Sequence, residues 1–165
     1  MFEVLNKVLE AKGRVRPSFS LYHVVKALIK IYEEGPIGRQ LLSKTLGLGE
    51  ASTRTLIRRL ANEELVKVDP IGGCILTSKG LSIVKELLKR IHLGLRVEDL
   101  LVESLKLSEY AYATMVKGGC KILDRIKPYE VRDEIIKSGA DAALIVCVIN
   151  GKAVLPGGQK VVGED

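Results

Sequence analysis

The 165-residue sequence predicts an α+β protein of two units, residues 1–91 and 92–165, on three observations. Apolar residues recur at helical spacing in three successive runs between Leu21 and Ala61, the last two meeting at a glycine corner, and two short strand-like runs follow around Gly72 and Gly73. Beyond residue 109 the pattern becomes strand-like alternation on either side of one helical segment. The charge is also divided. Residues 1–91 hold 16 Lys and Arg against 9 Asp and Glu, a net +7, whereas residues 92–165 hold 10 against 11, a net −1. A basic excess confined to one part suits a polyanion partner for that part alone.

Composition excludes several classes. With 47% hydrophobic and 28% charged residues the chain reads as globular. Its longest apolar run, the eight residues "AALIVCVI", is far short of the roughly 20 needed to span a bilayer, so no membrane partner is expected. Glu3 and Glu10 interrupt the first segment, which therefore lacks a signal-like apolar stretch, and a cytoplasmic location is the expectation. Cys74, Cys120 and Cys147 are widely spaced and form no CxxC pair, and the histidines are only His23 and His92. A structural zinc site would need clustered ligands, so neither metal nor cofactor is expected, and the thiols read as small apolar residues.

The first long helix is read from Leu21, Val24, Val25, Leu28, Ile29 and Tyr32, and it is stopped by Gly35 and Pro36. A shorter helix from about Gly38 to Leu46 carries Leu41, Leu42 and Leu46 and is closed by Gly47. Leu48 to Glu50 can only turn, and a third helix then presents Thr53 (its methyl), Leu56, Ile57, Leu60 and Ala61 inward. Two helices joined by so short a glycine-containing turn are the helix-turn-helix arrangement. "VKVD" and "CILT" flank "PIGG" and read as a hairpin. Further on, Leu81, Val84, Leu88 and Ile91 step by three, four and three; this seam would either pair two chains or cover the unit's own core. The stripe Phe2, Leu5, Val8, Leu9 faces the same choice.

"LSKTLGLGEASTRTLIRRLANEELV", with the hairpin and "LTSKG" after it, resembles the winged helix-turn-helix of many bacterial and archaeal transcription regulators over about residues 18–91. That resemblance implies that the helix after the turn is the recognition helix and the hairpin the wing. Ser52, Arg54, Thr55, Arg58 and Arg59 would be its outward residues, with Arg39, Lys44 and Lys67 completing a double-stranded DNA interface. The chemistry agrees. Arginine forks onto guanine O6 and N7, while Ser and Thr serve phosphates and base edges, and a helix N-terminus favours a phosphate. The wing departs from the pattern, since Asp69, Pro70, Gly72 and Gly73 leave Lys67 as its single basic residue.

In the second unit, alternation through "EYAYATMV" predicts a strand, and Gly118-Gly119 would turn it into a partner strand, "CKILDRI". Pro128, Glu130 and Gly139 punctuate a helix over "PYEVRDEIIKSG". "DAALIVCVI" reads as a buried strand, and Asn150-Gly151 turns it back into "KAVLP". The order is strand, strand, helix, strand, strand. Through "EVRDEIIKSGADAALIV" and "NGKAVLPG" this part resembles the domain that follows winged helices in a group of uncharacterised archaeal proteins. It lacks the nucleotide loops of the winged-helix riboflavin kinases.

An enzyme is not expected, because no nucleophile-base pair, carboxylate pair or metal cluster stands out. Lys121, Arg125, Arg132, Asp133 and Asp141 suit a solvated helix surface, and "PGGQK" is not followed by a helix as a phosphate loop would be. The expected function is a homodimeric DNA-binding transcription regulator whose second unit pairs subunits or senses a small-molecule effector through Tyr110, Tyr112, Arg132 and Asp133. The competing reading is a protein-interaction module of a larger complex.

Overall fold

The structure, a computed structural model, describes residues 2–11, 17–69, 72–97 and 109–157. Pro70 of the wing and the "PGGQK" stretch beyond Gly157 fall outside the described residues, as does the side chain of Phe2. The chain forms two compact units, Met1–Leu87 and Leu88–Asp165.

The first unit is a winged helix. Helix α1 (Phe2–Leu9) precedes α2 (Leu21–Glu34), α3 (Arg39–Leu46) and α4 (Glu50–Asn62). Strands β1 (Val66–Asp69) and β2 (Gly73–Leu76) form the wing, and α5 (Ser78–Arg90) follows. Leu5 and Val8 are fully buried, so α1 docks on its own chain's core. On α2 the buried residues are Val24, Ala27, Leu28, Ile29 and Ile31, and Tyr32 is 43% exposed. The expected spacing was one residue late at the helix end, where Ile31 and not Tyr32 meets the core.

His23 caps α2. The Ser20 backbone N–H donates to His23 Nδ1 at 3.1 Å and the Ser20 hydroxyl lies 2.9 Å from the same nitrogen, so Nδ1 must be unprotonated there. Burial, and then the charge of Lys26, lower the pKa of His23 below its ordinary value. The unfolded chain therefore takes up the proton first, and stability is lost as pH falls through the ordinary histidine range near 6.5. The melting temperature is expected to drop between pH 7 and pH 5 more steeply for the native chain than for His23→Gln, in which glutamine completes an ordinary capping box without titrating. Parallel slopes in thermal melts would refute this.

The helix-turn-helix corner is locked by backbone chemistry. Gly47 closes α3 at φ 65, a left-handed conformation, and Leu48 N–H reaches back to the Ser43 carbonyl at 3.2 Å. The buried Ser43 hydroxyl donates to the Leu48 carbonyl at 2.6 Å. Thr53 is fully buried, with its hydroxyl on the Gly49 carbonyl at 3.2 Å.

In the wing, β1 and β2 pair antiparallel, Val66 opposite Leu76 and Lys67 opposite Ile75. A third partner escaped the sequence reading: Ile37 and Cys74 exchange backbone hydrogen bonds of 3.0 and 2.8 Å. A Cβ on Gly73 would sit 2.5 Å from the Ile37 carbonyl oxygen, so the junction requires glycine. "LTSKG" has an equally local meaning. Thr77 Oγ1 accepts from Gly80 N–H at 3.0 Å and caps α5. A Cβ on Gly80 would lie 2.0 Å from the Leu65 carbonyl oxygen. The close crossing outweighs the roughly 1 kcal/mol of helix propensity that alanine would add.

The proposed seam does not persist along α5. Ile83, Val84 and Leu87 are buried in this unit, Leu81 and Leu88 are half-buried, and Ile91 belongs to a strand. Val84 therefore serves its own core and is not available to a partner chain.

The second unit opens with β3 (Ile91–Arg96), which pairs antiparallel with β4 (Tyr112–Val116), Ile91 opposite Val116 and Arg96 opposite Tyr112. The register shifts between His92 and Leu95. β4 was expected to pair with "CKILDRI", but that stretch coils. Gly118 is left-handed and starts a 3-10 turn, Gly119–Lys121, and Ile126 N–H then reaches the Ile122 carbonyl at 3.0 Å. Ile122 and Ile126 are spaced for a helical turn, and that period prevailed over a strand. Helix α6 (Pro128–Lys137) follows with Pro128 at its first position and the Lys127 N–H bonded to Glu130 Oε2 at 3.0 Å. β5 (Cys147–Ile149) and β6 (Lys152–Val154) form the expected hairpin, with Asn150 and Gly151 at φ 52 and 78. The strand is much shorter than "DAALIVCVI", and Val148 is 62% exposed. With β6 as its one partner among the described residues, β5 is not the buried central strand that its β-branched content suggests.

Candidate nucleic-acid interface

Helix α4 begins directly after the locked corner, with Gly49 as its N-cap. Its inward face is Thr53, Leu56, Ile57 and Leu60, all buried. The opposite face presents Arg54 and Arg58, both exposed and one helical turn apart. Neither forms an ion pair with another described residue, although Glu50 sits one turn before Arg54. Like charges at this spacing oppose the helix by about 0.2–0.5 kcal/mol.

The other expected contacts divide. Thr55 is half-buried, and its hydroxyl donates to the Ala51 carbonyl at 3.0 Å. Ser52 is tied to Ser18, Oγ to Oγ, at 2.6 Å. Ser18 stands 34 residues away, and no sequence signal connects the two. Arg39 in the first turn of α3, Lys44 near its end and Lys67 on β1 are exposed. At the N-terminus of α4, Glu50 already answers the helix dipole, which weakens that end as a phosphate seat.

Arg59 requires a correction, because it does not face outward. It is 8% exposed, and its Nη1 donates to the carbonyls of Val8 at 2.9 Å and Glu10 at 2.5 Å. Its guanidinium also lies 5.7 Å from the centre of the Phe19 ring. Those carbonyls close the C-terminus of α1, where the helix dipole is negative and free acceptors need donors. Arg59 is thus a clamp between α1 and α4.

In the second unit, Tyr110 and Tyr112 are exposed, and Arg96 stacks over the Tyr110 ring at 5.3 Å. Arg132 and Asp133 pair with each other at 2.9 Å, both about half exposed. No hydrogen bond or ion pair joins the tyrosines to that pair among the described residues. The described residues contain no group of three or more His, Cys, Asp or Glu side chains placed to hold a metal ion. No described helix is long and apolar enough to cross a membrane.

A glycine-locked helix pair, an exposed arginine face and a two-stranded wing define a winged helix-turn-helix protein. Residues 22–91 match the family model described as the CggR N-terminal DNA binding domain. Residues 107–165 match a domain of unknown function, DUF4443. The hypothetical protein PH0730 from Pyrococcus horikoshii OT3 is 30% identical, with 84% of this chain and 68% of that chain covered and a TM-score of 0.57. The chain belongs to the family of that protein. A second similar structure is the transcriptional regulator Tm0710 from Thermotoga maritima, 21% identical over 72% of this chain and 78% of that one, with a TM-score of 0.39. No curated protein matches the chain.

Proposed function

We propose that this chain is a cytoplasmic, DNA-binding transcription regulator that lays α4 in the major groove, reads bases through Arg54, Thr55 and Arg58, and grips phosphates through Arg39, Lys44 and Lys67. One observation carries the reading: α4 holds two arginines on its solvent face with no ion-pair partner among the described residues, in a segment matching a DNA-binding domain model. A helix that keeps a repulsive pair is well suited to an anion supplied from outside. Ser52, held by Ser18, positions the start of α4 and leaves base reading to the arginines.

The test is fluorescence anisotropy on a random duplex across salt concentrations. Three phosphate-facing cations per chain would give a log–log slope of about −2.7, at about −0.9 per neutralised phosphate. A flat response with negligible affinity would defeat the proposal. It would favour the second reading, a protein-interaction module, which the wing itself supports: Val68, 50% exposed, and Ile75 accompany Lys67 there.

The unit from residue 88 onward serves to pair subunits or bind an effector. Support for pairing comes from apolar side chains left open on β4 and α6, among them Tyr112, Met115, Ile135 and Ile136. A ten-residue helix without a buried residue gains little stability alone. Two-fold pairing would also double the reading length. Sedimentation of the full chain at tens of micromolar is expected to show a dimer, and a monomer both with and without duplex would rule pairing out. An effector would act by binding two states of the regulator with different affinity. Tyr110 and Tyr112 offer stacking surface for it, and Arg132 and Asp133 charge.

A further inference from the structure

Cys120 and Cys147, distant in sequence, meet in the second unit. Cys120 sits in the 3-10 turn, Cys147 opens β5, and the turn packs against that strand. The Cys120 side chain reaches the Cys147 thiol across that contact, and both thiols are reduced. Cys147 is buried, whereas Cys120 is half-buried and open to a small reagent. Successive backbone bonds hold the turn in place, Ile122 N–H to the Gly119 carbonyl at 2.9 Å and Leu123 N–H to the Cys120 carbonyl at 3.1 Å.

We propose that Cys120 and Cys147 form a reversible dithiol–disulfide site whose oxidant is a small-molecule disulfide, with Cys120 attacking and Cys147 resolving. Cys120 loses its proton, and its thiolate attacks one sulfur of the small disulfide. The S–S bond breaks, and the first small thiolate leaves and takes up that proton. Cys147 then loses its proton, attacks Cys120 Sγ and displaces the second small thiolate, which takes up the proton in turn. Two protein thiols are oxidised to one disulfide, and the small disulfide is reduced to two thiols.

The order of attack follows from the surroundings. The hydrogen bond with Cys120, then burial, then the charges of Cys120 and Asp124 push the Cys147 thiol up to about 11. Its thiolate is therefore rare, and the more exposed Cys120 meets the oxidant first. Once Cys120 is capped in a mixed disulfide, its thiol no longer raises that of Cys147 and resolution is eased. Cys74 stands apart, buried beside Ile37 in the first unit, with burial raising its pKa as well. The new bond would tie the turn to β5 around α6, in a unit where Cys147 is the one buried residue among the described residues.

The experiment incubates the native full chain with oxidised glutathione, quenches it by acid and alkylation, and reads intact mass and linked peptides. The native chain is expected to lose two hydrogens and yield a Cys120–Cys147 crosslinked peptide, with Cys74 alkylated. C147S is expected to accumulate glutathione on Cys120, and C120S to stay reduced. A lasting glutathione adduct on the native chain, a bond between two chains, or no reaction where the urea-unfolded chain oxidises would each overturn the proposal.

Discussion

Replacing Arg54 and Arg58 together by alanine is expected to lower affinity for a selected duplex by about thirty-fold to twenty-thousand-fold. Each arginine that forks onto a guanine contributes about 1–3 kcal/mol of base discrimination, and about 1.4 kcal/mol is a factor of ten in affinity. Folding should not suffer. Both side chains are exposed and without an ion-pair partner among the described residues, and removing two like charges one turn apart relieves a small repulsion. Thermal melts alongside anisotropy on the selected site check both halves. Unchanged affinity would remove α4 as the reading helix, and a collapse in stability would show that the face is structural.

Arg59→Ala is expected to do the reverse, costing about 2–4 kcal/mol of stability while each folded molecule binds DNA as before. The loss has two parts. Two hydrogen bonds from a charged donor disappear, and the Val8 and Glu10 carbonyls lose a donor where α1 ends. The Phe19 ring also loses its stacked cation, a contribution of about 0.5–2 kcal/mol. Urea denaturation should show a lower midpoint with an unchanged slope. Arg59→Lys, which keeps a charge but not the planar fork, should recover part of the loss. A midpoint equal to that of the native chain would mean that the clamp contributes nothing.

Arg58 and Arg59 show where sequence reading stops. They are neighbours of the same type, and both fit an outward basic face when only the inward positions Leu56, Ile57 and Leu60 are known. A turn of about 100° per residue places position 59 at the edge of that face, where the environment decides its role. The deciding group is the end of α1, 49 to 51 residues earlier. Ser52 is similar: its type suits a phosphate contact, and its actual partner is Ser18. Strand β3 was missed for a related reason. "IHLGLR" follows directly on a helix, and its pairing with β4 is set across a sequence gap that no local period spans.

By itself the sequence determined the features that depend on neighbours within a few residues. These include the corner at Gly47, which needs a left-handed residue, the Thr77 cap in "LTSKG", the Asn150-Gly151 hairpin and the basic weighting of the first unit. Tertiary structure alone decided which arginine faces solvent and which clamps two helices, which strand pairs with β4, and that Cys120 meets Cys147. The physical reason is range. Helix periods and turn preferences are set by backbone sterics and hydrogen bonds close in sequence, whereas burial and partner choice depend on groups that only the folded chain brings together.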